Sequence, residues 1–140
     1  MIMKYNDINA LLDSIEKDIR STLENEVAET VKEEMVIAVE TSVYRVYDPV
    51  QYNRRYGNSG LGARENMHVE EIPNGIYVRD IAPLDNGRTD YALDDIVVNG
   101  VGRMPFPRDF YSECEEQLFL NENHKEALKQ GLKNRGYNVK

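Results

Sequence analysis

From Asp7 to about Thr41 this chain has neither proline nor glycine and is rich in Glu, Leu, Lys and Ala. A stretch that lacks both helix breakers and is filled with strong formers favours one long helix. Asn6 or Asp7 is placed to cap it. Thirty or more helical residues extend roughly 50 Å, about twice the width of the core that a chain of this size can build. Part of the helix is therefore expected to project.

Apolar residues stand four apart at Leu11, Ile15, Ile19, Leu23, Val27, Val31, Met35 and Val39. At about 3.6 residues per turn, each step of four overshoots by about 40°, so the stripe winds in the sense opposite to a heptad seam. One flat partner cannot cover it. Either the helix is broken in the middle, near Asn25 or Thr30, or it crosses different neighbours along its length. The reading favoured here places Leu11, Ile15, Ile19 and Leu23 against another subunit, and Val31, Met35 and Val39 on the chain's own sheet. A kinked helix capping that sheet is the plainer alternative.

The 140 residues fit one domain, and 41% hydrophobic with 30% charged side chains describes a globular chain. The N-terminus lacks the basic and apolar regions of a signal peptide, and no run approaches the roughly 18 apolar residues of a membrane span. No membrane partner is expected. Lone Cys114 excludes an intrachain disulfide and a cysteine-based zinc cluster, which fits a cytosolic origin. It shares a helical face with Phe110, Leu118 and Tyr111, so it reads as a packing residue, with the flanking glutamates raising its pKa. A net charge of −8 disfavours non-specific wrapping of DNA. The imbalance is uneven: residues 1–40 hold ten acidic and four basic side chains, whereas residues 121–140 carry a net +3.

Beyond the helix, Ser42 to Tyr47 suits a short strand or a frayed last turn, and Asp48-Pro49 stops any helix. Residues 48–62 read as an extended loop. A β-hairpin is predicted over 66–82, with strands Met67–Ile72 and Ile76–Ile81 joined by Pro73-Asn74-Gly75, the glycine supplying a left-handed position. Residues 89–134 read as the helical C-terminal part. There, Thr89 or Asp90 caps a helix through Val98 that Asn99-Gly100 ends. A second helix runs from about Arg108 to Leu120, and a third from Asn123 to Gln130 stops near Gly131 before a basic tail. The fold class is α+β: a long N-terminal helix packed on a small antiparallel sheet, with two or three shorter C-terminal helices.

Catalytic chemistry finds little support. His68 and His124 have no metal-pairing neighbour, and no serine sits in a nucleophile elbow. The oxygen-rich Asp85 to Asp95 stretch lacks the spacing of a calcium loop, and Gly57, Gly60 and Gly62 are not followed by a phosphate-binding signature. Neither an enzyme nor a cofactor is expected. The best electrostatic candidate is the loop carrying Tyr47, Tyr52, Arg54, Arg55 and Tyr56, whose residue types suit a protein interface or stacked, phosphate-clamped nucleic acid. The interface reading is favoured, and the basic Lys129, Lys133 and Arg135 are a second candidate contact. A small nucleic-acid-binding regulatory module remains the alternative from a different class.

Taken in order, several phrases resemble the neck, or tail-completion, proteins of tailed bacteriophages. They are the long helix, the Tyr47-x-Pro49-x-x-Tyr52-x-Arg54-Arg55 loop with Gly60-Leu61, the hairpin and a Tyr91-Ala92 helix running into Val98-Asn99-Gly100. Pro105-Phe106-Pro107-Arg108 and the closing Ala127-Leu128-Lys129-x-Gly131-Leu132-Lys133-x-Arg135-Gly136 complete the set. The resemblance implies a structural virion protein, assembled in the host cytoplasm, that forms a homo-oligomeric ring in the neck between adjacent connector and tail proteins. DNA would pass through such a ring without sequence-specific binding. A tail terminator or head-completion adaptor is the neighbouring possibility.

Overall fold

The computed structural model describes residues 7–44, 60–82, 93–100 and 107–140. Asp7 is the cap: its carboxylate accepts from the Ala10 N–H at 2.7 Å and so satisfies one of the unpaired donors of the first turn. From there the helix runs unbroken through α1 (Ile8–Thr22), a π turn (Leu23–Val27), α2 (Ala28–Val39) and a second π turn (Glu40–Tyr44). The expected end at Thr41 falls inside the second π turn, and Ser42 and Val43 continue the helix instead of starting a strand.

Asn25 therefore marks a widened turn and not a break. Bonding from i to i+5 places roughly one more residue in the hydrogen-bonded ring, so rotation per residue falls. A spacing of four over-rotates in an α-helix and under-rotates here, and part of the drift built up along α1 is undone before α2 begins. Carbonyls around the widened turn receive side-chain donors: the Asn25 amide bonds Ser21 O at 2.7 Å, and the Thr22 and Thr30 hydroxyls bond Asp18 O and Glu26 O at 2.8 and 3.1 Å.

The hairpin lies along one side of this helix. Strands β1 (Met67–Ile72) and β2 (Gly75–Asp80) pair antiparallel, from Met67 opposite Asp80 to Ile72 opposite Gly75. The turn is shorter than predicted. Gly75 is already a strand residue and does not adopt a left-handed conformation, so Pro73 and Asn74 close the turn without a positive φ. Arg64, in the short helical turn before β1, pairs with Glu29 and Glu33, while Arg20 reaches the hairpin tip through Glu71 at 2.7 Å and Pro73 O at 3.0 Å. The hairpin thus spans the helix from the level of Glu33 to that of Arg20.

Among the described residues, three C-terminal helices follow: α3 (Leu93–Asn99), α4 (Phe110–Asn121) and α5 (Asn123–Asn134). Gly100, with φ 70°, ends α3, and Asp109 caps α4 through Ser112 N at 3.0 Å. A single left-handed residue, Glu122 (φ 57°), turns α4 into α5. The Asn121 and Asn123 amides bond Glu34 at 3.0 and 3.2 Å, and Arg135 bonds Glu26 at 2.8 Å, so α5 returns antiparallel to the long helix.

The predicted stop at Gly131 is incorrect. Gly131 is buried inside α5, and a Cβ there would meet Thr22 Cγ2 at 2.5 Å, so glycine sets a close helix crossing instead of an end. The helix closes at Gly136 (φ 96°), where Tyr137 N bonds Leu132 O at 3.1 Å and Gly136 N bonds Lys133 O at 3.0 Å, the paired bonds of a Schellman motif. About one helical turn, residues 131–134, that reads as tail packs against the body instead.

The core gathers where α2, the hairpin base and α4 meet: Met35, Ala38, Val39, Val43, Leu61, Met67, Ala82, Val97, Phe110 and Cys114. Val31 packs against its edge. The Cys114 thiol is pushed up to about 12, first by burial and then by Glu34 and Glu115, so the flanking charge matters less than the sequence suggests.

Candidate interaction surface

Docked elements cover the long helix as far as Asp18 and Arg20. There Tyr137 donates to Asp18 at 2.6 Å from one side, and the hairpin tip meets Arg20 from the other. Residues 8–17 run roughly 15 Å further. Ile8, Leu12 and Ile19 are 65%, 55% and 38% exposed, and Leu11, Ile15 and Leu23 are half-buried. Placing these side chains at about 100° per residue puts Ile8, Leu11, Leu12, Ile15 and Ile19 in one arc of roughly 100°. None belongs to the buried core cluster, whereas Met35 and Val39 do and Val31 packs against it.

The three cations of the predicted C-terminal contact lie on or just past α5, in different settings. Arg135 is held by its own chain, bonding Glu26 at 2.8 Å, Ser21 Oγ at 3.1 Å and Gly131 O at 2.9 Å. Its guanidinium holds the Glu26 carboxyl below the usual range. Lys133 is exposed and Lys129 half-buried. Tyr47, Tyr52, Arg54, Arg55 and Tyr56 lie outside the described residues, as do Thr89, Asp90 and the Pro105-Phe106 phrase.

The structure also assembles a polar cluster that the sequence does not announce. On the outer face of β2, Arg79 grips Asp94 of α3 with two bonds of 2.9 and 3.2 Å. Tyr111 of α4 donates to the same carboxylate at 2.5 Å, and its hydroxyl oxygen accepts from Asp80 N at 3.0 Å. Burial alone would raise Asp94; the Arg79 and Tyr111 bonds outweigh it and hold the carboxyl low. Asp80, on the inner face, has the opposite fate. Its Oδ1 accepts from Ala82 N at 3.0 Å, Oδ2 is buried without a partner, and burial with Asp94 nearby pushes the carboxyl up to about 7. These residues come from three separate elements, with 31 positions between Asp80 and Tyr111, and only their shared polarity in apolar segments could have hinted at the cluster.

The cluster ties β2, α3 and α4 together. Neither of two surface grooves, one along Asp13 to Glu24 and one between the first π turn and α5, is lined by its four side chains. Among the described residues no group of three metal-type ligands occurs, and no helix is long and apolar enough to cross a membrane. His68 is 3.7 Å from Glu70 on the outer hairpin face, and His124 is half-buried at the start of α5. Among the described residues, one surface that the fold leaves unmatched is the tip of the long helix, where exposed Ile8 and Leu12 stand beside Asp7 and Glu16. No curated protein and no solved structure matches the chain. The family model described as YomN matches residues 5–134, nearly the whole chain, which therefore belongs to this phage-associated family.

Proposed function

We propose that this chain is a structural virion protein that forms a ring in the neck of a tailed phage, joining head to tail around the DNA channel. The observation that carries the reading is the projecting helix tip. A capped helix presents an apolar stripe that the described residues cover only in part, with Ile8 and Leu12 exposed and Leu11 and Ile15 half-buried, as a subunit built for assembly would. Membership in a phage-associated family supports it, as does the resemblance of its sequence phrases to neck proteins. A ring needs head-to-tail contacts that close, and a long shared helix offers them without any catalytic group. The net charge of −8 suits a channel through which DNA slides without sticking.

The neighbouring proteins would be connector and tail proteins, and the ring could serve as a tail terminator or a head-completion adaptor in place of the neck ring itself. Disrupting the gene is expected to leave filled heads and free tails that do not join, and tagged protein should map to the head-to-tail junction of intact particles in electron micrographs. Absence of the protein from purified particles would defeat the proposal. Mapping the potential of the assembled ring checks the charge argument, since a basic bore would contradict it.

A further inference from the structure

Two surfaces of this chain complement each other and cannot meet within one molecule. The first is the stripe of Ile8, Leu12 and Ile19, with Leu11 and Ile15 beside them. On the helical wheel Glu16 borders it on one side, Asp7 and Asp18 border it on the other, and Lys17 lies on the far face. It is an apolar strip with acidic margins, in which Asp18 accepts from Tyr137 at 2.6 Å and Glu16 pairs with Arg20 at 3.3 Å on the exposed surface.

The second surface is the outer face of α5. Lys125, Lys129 and Lys133 stand four apart, so they form one row on the side of the helix turned away from Gly131 and Thr22. Lys129 and Lys133 have no ion pair among the described residues, and Lys125 reaches only the exposed Glu122 at 3.1 Å. At the α4 end of this row, Phe119 and Leu120 are 81% and 66% exposed. The row spans about 12 Å and the stripe about 16 Å, comparable lengths for side-by-side contact.

We infer that the helix tip of one copy docks on the lysine row of α5 in a second copy, head to tail. Charge selects this occupant. In a chain with net −8, residues 121–140 carry net +3, so they offer a cationic surface complementary to the acid-bordered stripe. Because α5 turns its opposite face to its own long helix, the row and stripe of one molecule are kept apart. Each copy then offers one donor and one acceptor, and association continues until it closes. The inference deepens the ring reading above by naming its contact, but the contact rests on the two surfaces alone.

The test uses the full chain and native mass spectrometry. Wild-type protein should assemble, and less so as salt rises from about 50 mM to about 500 mM. Leu12→Asp removes the stripe, and Lys129→Glu with Lys133→Glu removes the row; each should lower apparent affinity at least about tenfold. Melting curves report whether each variant folds, and Lys133→Glu alone, at an exposed position, repeats the test with less risk to folding. Mixed in equal amounts, the stripe and row variants should form heterodimers and nothing larger, since the mixture holds one intact stripe and one intact row. Assembly of the row variant at wild-type strength, a mixture that stays monomeric, or a monomeric wild type at every concentration would each overturn the contact. A wild type that stays monomeric until connector protein is added would sink it while leaving the neck reading standing. Loss of the neck reading would not alter any of these results.

Discussion

The two ends of the long helix carry the same apolar spacing and meet opposite surroundings. In α2, Met35, Ala38 and Val39 are enclosed by α4 and the hairpin base, while in α1 Ile8 and Leu12 are open to solvent and Ile19 is partly so. Spacing decides which side chains line up along a helix. It does not decide what covers them. Coverage follows from where later elements turn back, and here they reach Asp18 and Arg20.

The largest test of that contrast is truncation at each end. Phe110→Ala or Met35→Ala should cost about 2–5 kcal/mol in urea unfolding, because each empties an enclosed site, whereas Leu12→Ala should change monomer stability by less than about 0.5 kcal/mol. Equal costs would break the comparison. Next in size is Asp80, at the covered end. Its folded pKa, pushed up to about 7, lies above the ordinary 3.8 of an aspartate, so the native state binds the proton more tightly. Stability from this group is full below the unfolded value and falls as pH rises between about 4 and 7, by an amount on the order of 2–4 kcal/mol. Asp80→Asn, which imitates the protonated form, should flatten that slope and be more stable than wild type at pH about 8. Unfolding midpoints across this range decide it.

Gly131 sits where the covered part of the helix meets α5. Gly131→Ala should cost about 1–3 kcal/mol through the clash with Thr22 Cγ2, and Thr22→Ser should recover much of it, because serine keeps the hydroxyl bonded to Asp18 O and removes that methyl. A pair of losses that simply add would show that the crossing is looser than the geometry indicates. The smallest effect belongs to Glu122, whose left-handed backbone suits glycine better. Glu122→Gly should stabilise by up to about 1 kcal/mol in thermal melts, and a loss would assign Glu122 a role beyond the joint.

Much of the architecture was legible because it rests on local chemistry. Asp7 and Gly100 serve the helix ends assigned to them, and the Pro73-Asn74 turn lies between the two predicted strands. What misled was glycine, whose two uses look alike in a sequence. Gly131 reads as a stop yet serves a crossing, and Gly136 five residues later is the stop. Asn25 reads as a break, and the chain instead widens one turn, since a π turn keeps the backbone bonded while correcting the drift of the stripe. The polar cluster was hidden because Arg79, Asp94 and Tyr111 are charged or polar groups in separate segments, and a helix or strand pattern carries no record of which segments will touch.

By itself, then, the sequence determined that a helix of this length would form, that its apolar positions would wind, and that one small domain could not bury them all. Those follow from residue spacing, caps and chain length, which act over a few positions. Only the tertiary structure decided which part of the stripe is covered, that Arg135 is committed to Glu26 while Lys133 stays exposed, and that Asp80 and Asp94, both buried, hold their protons so differently. Each of these depends on residues far apart in the chain, and burial or pairing exists only once the elements have packed.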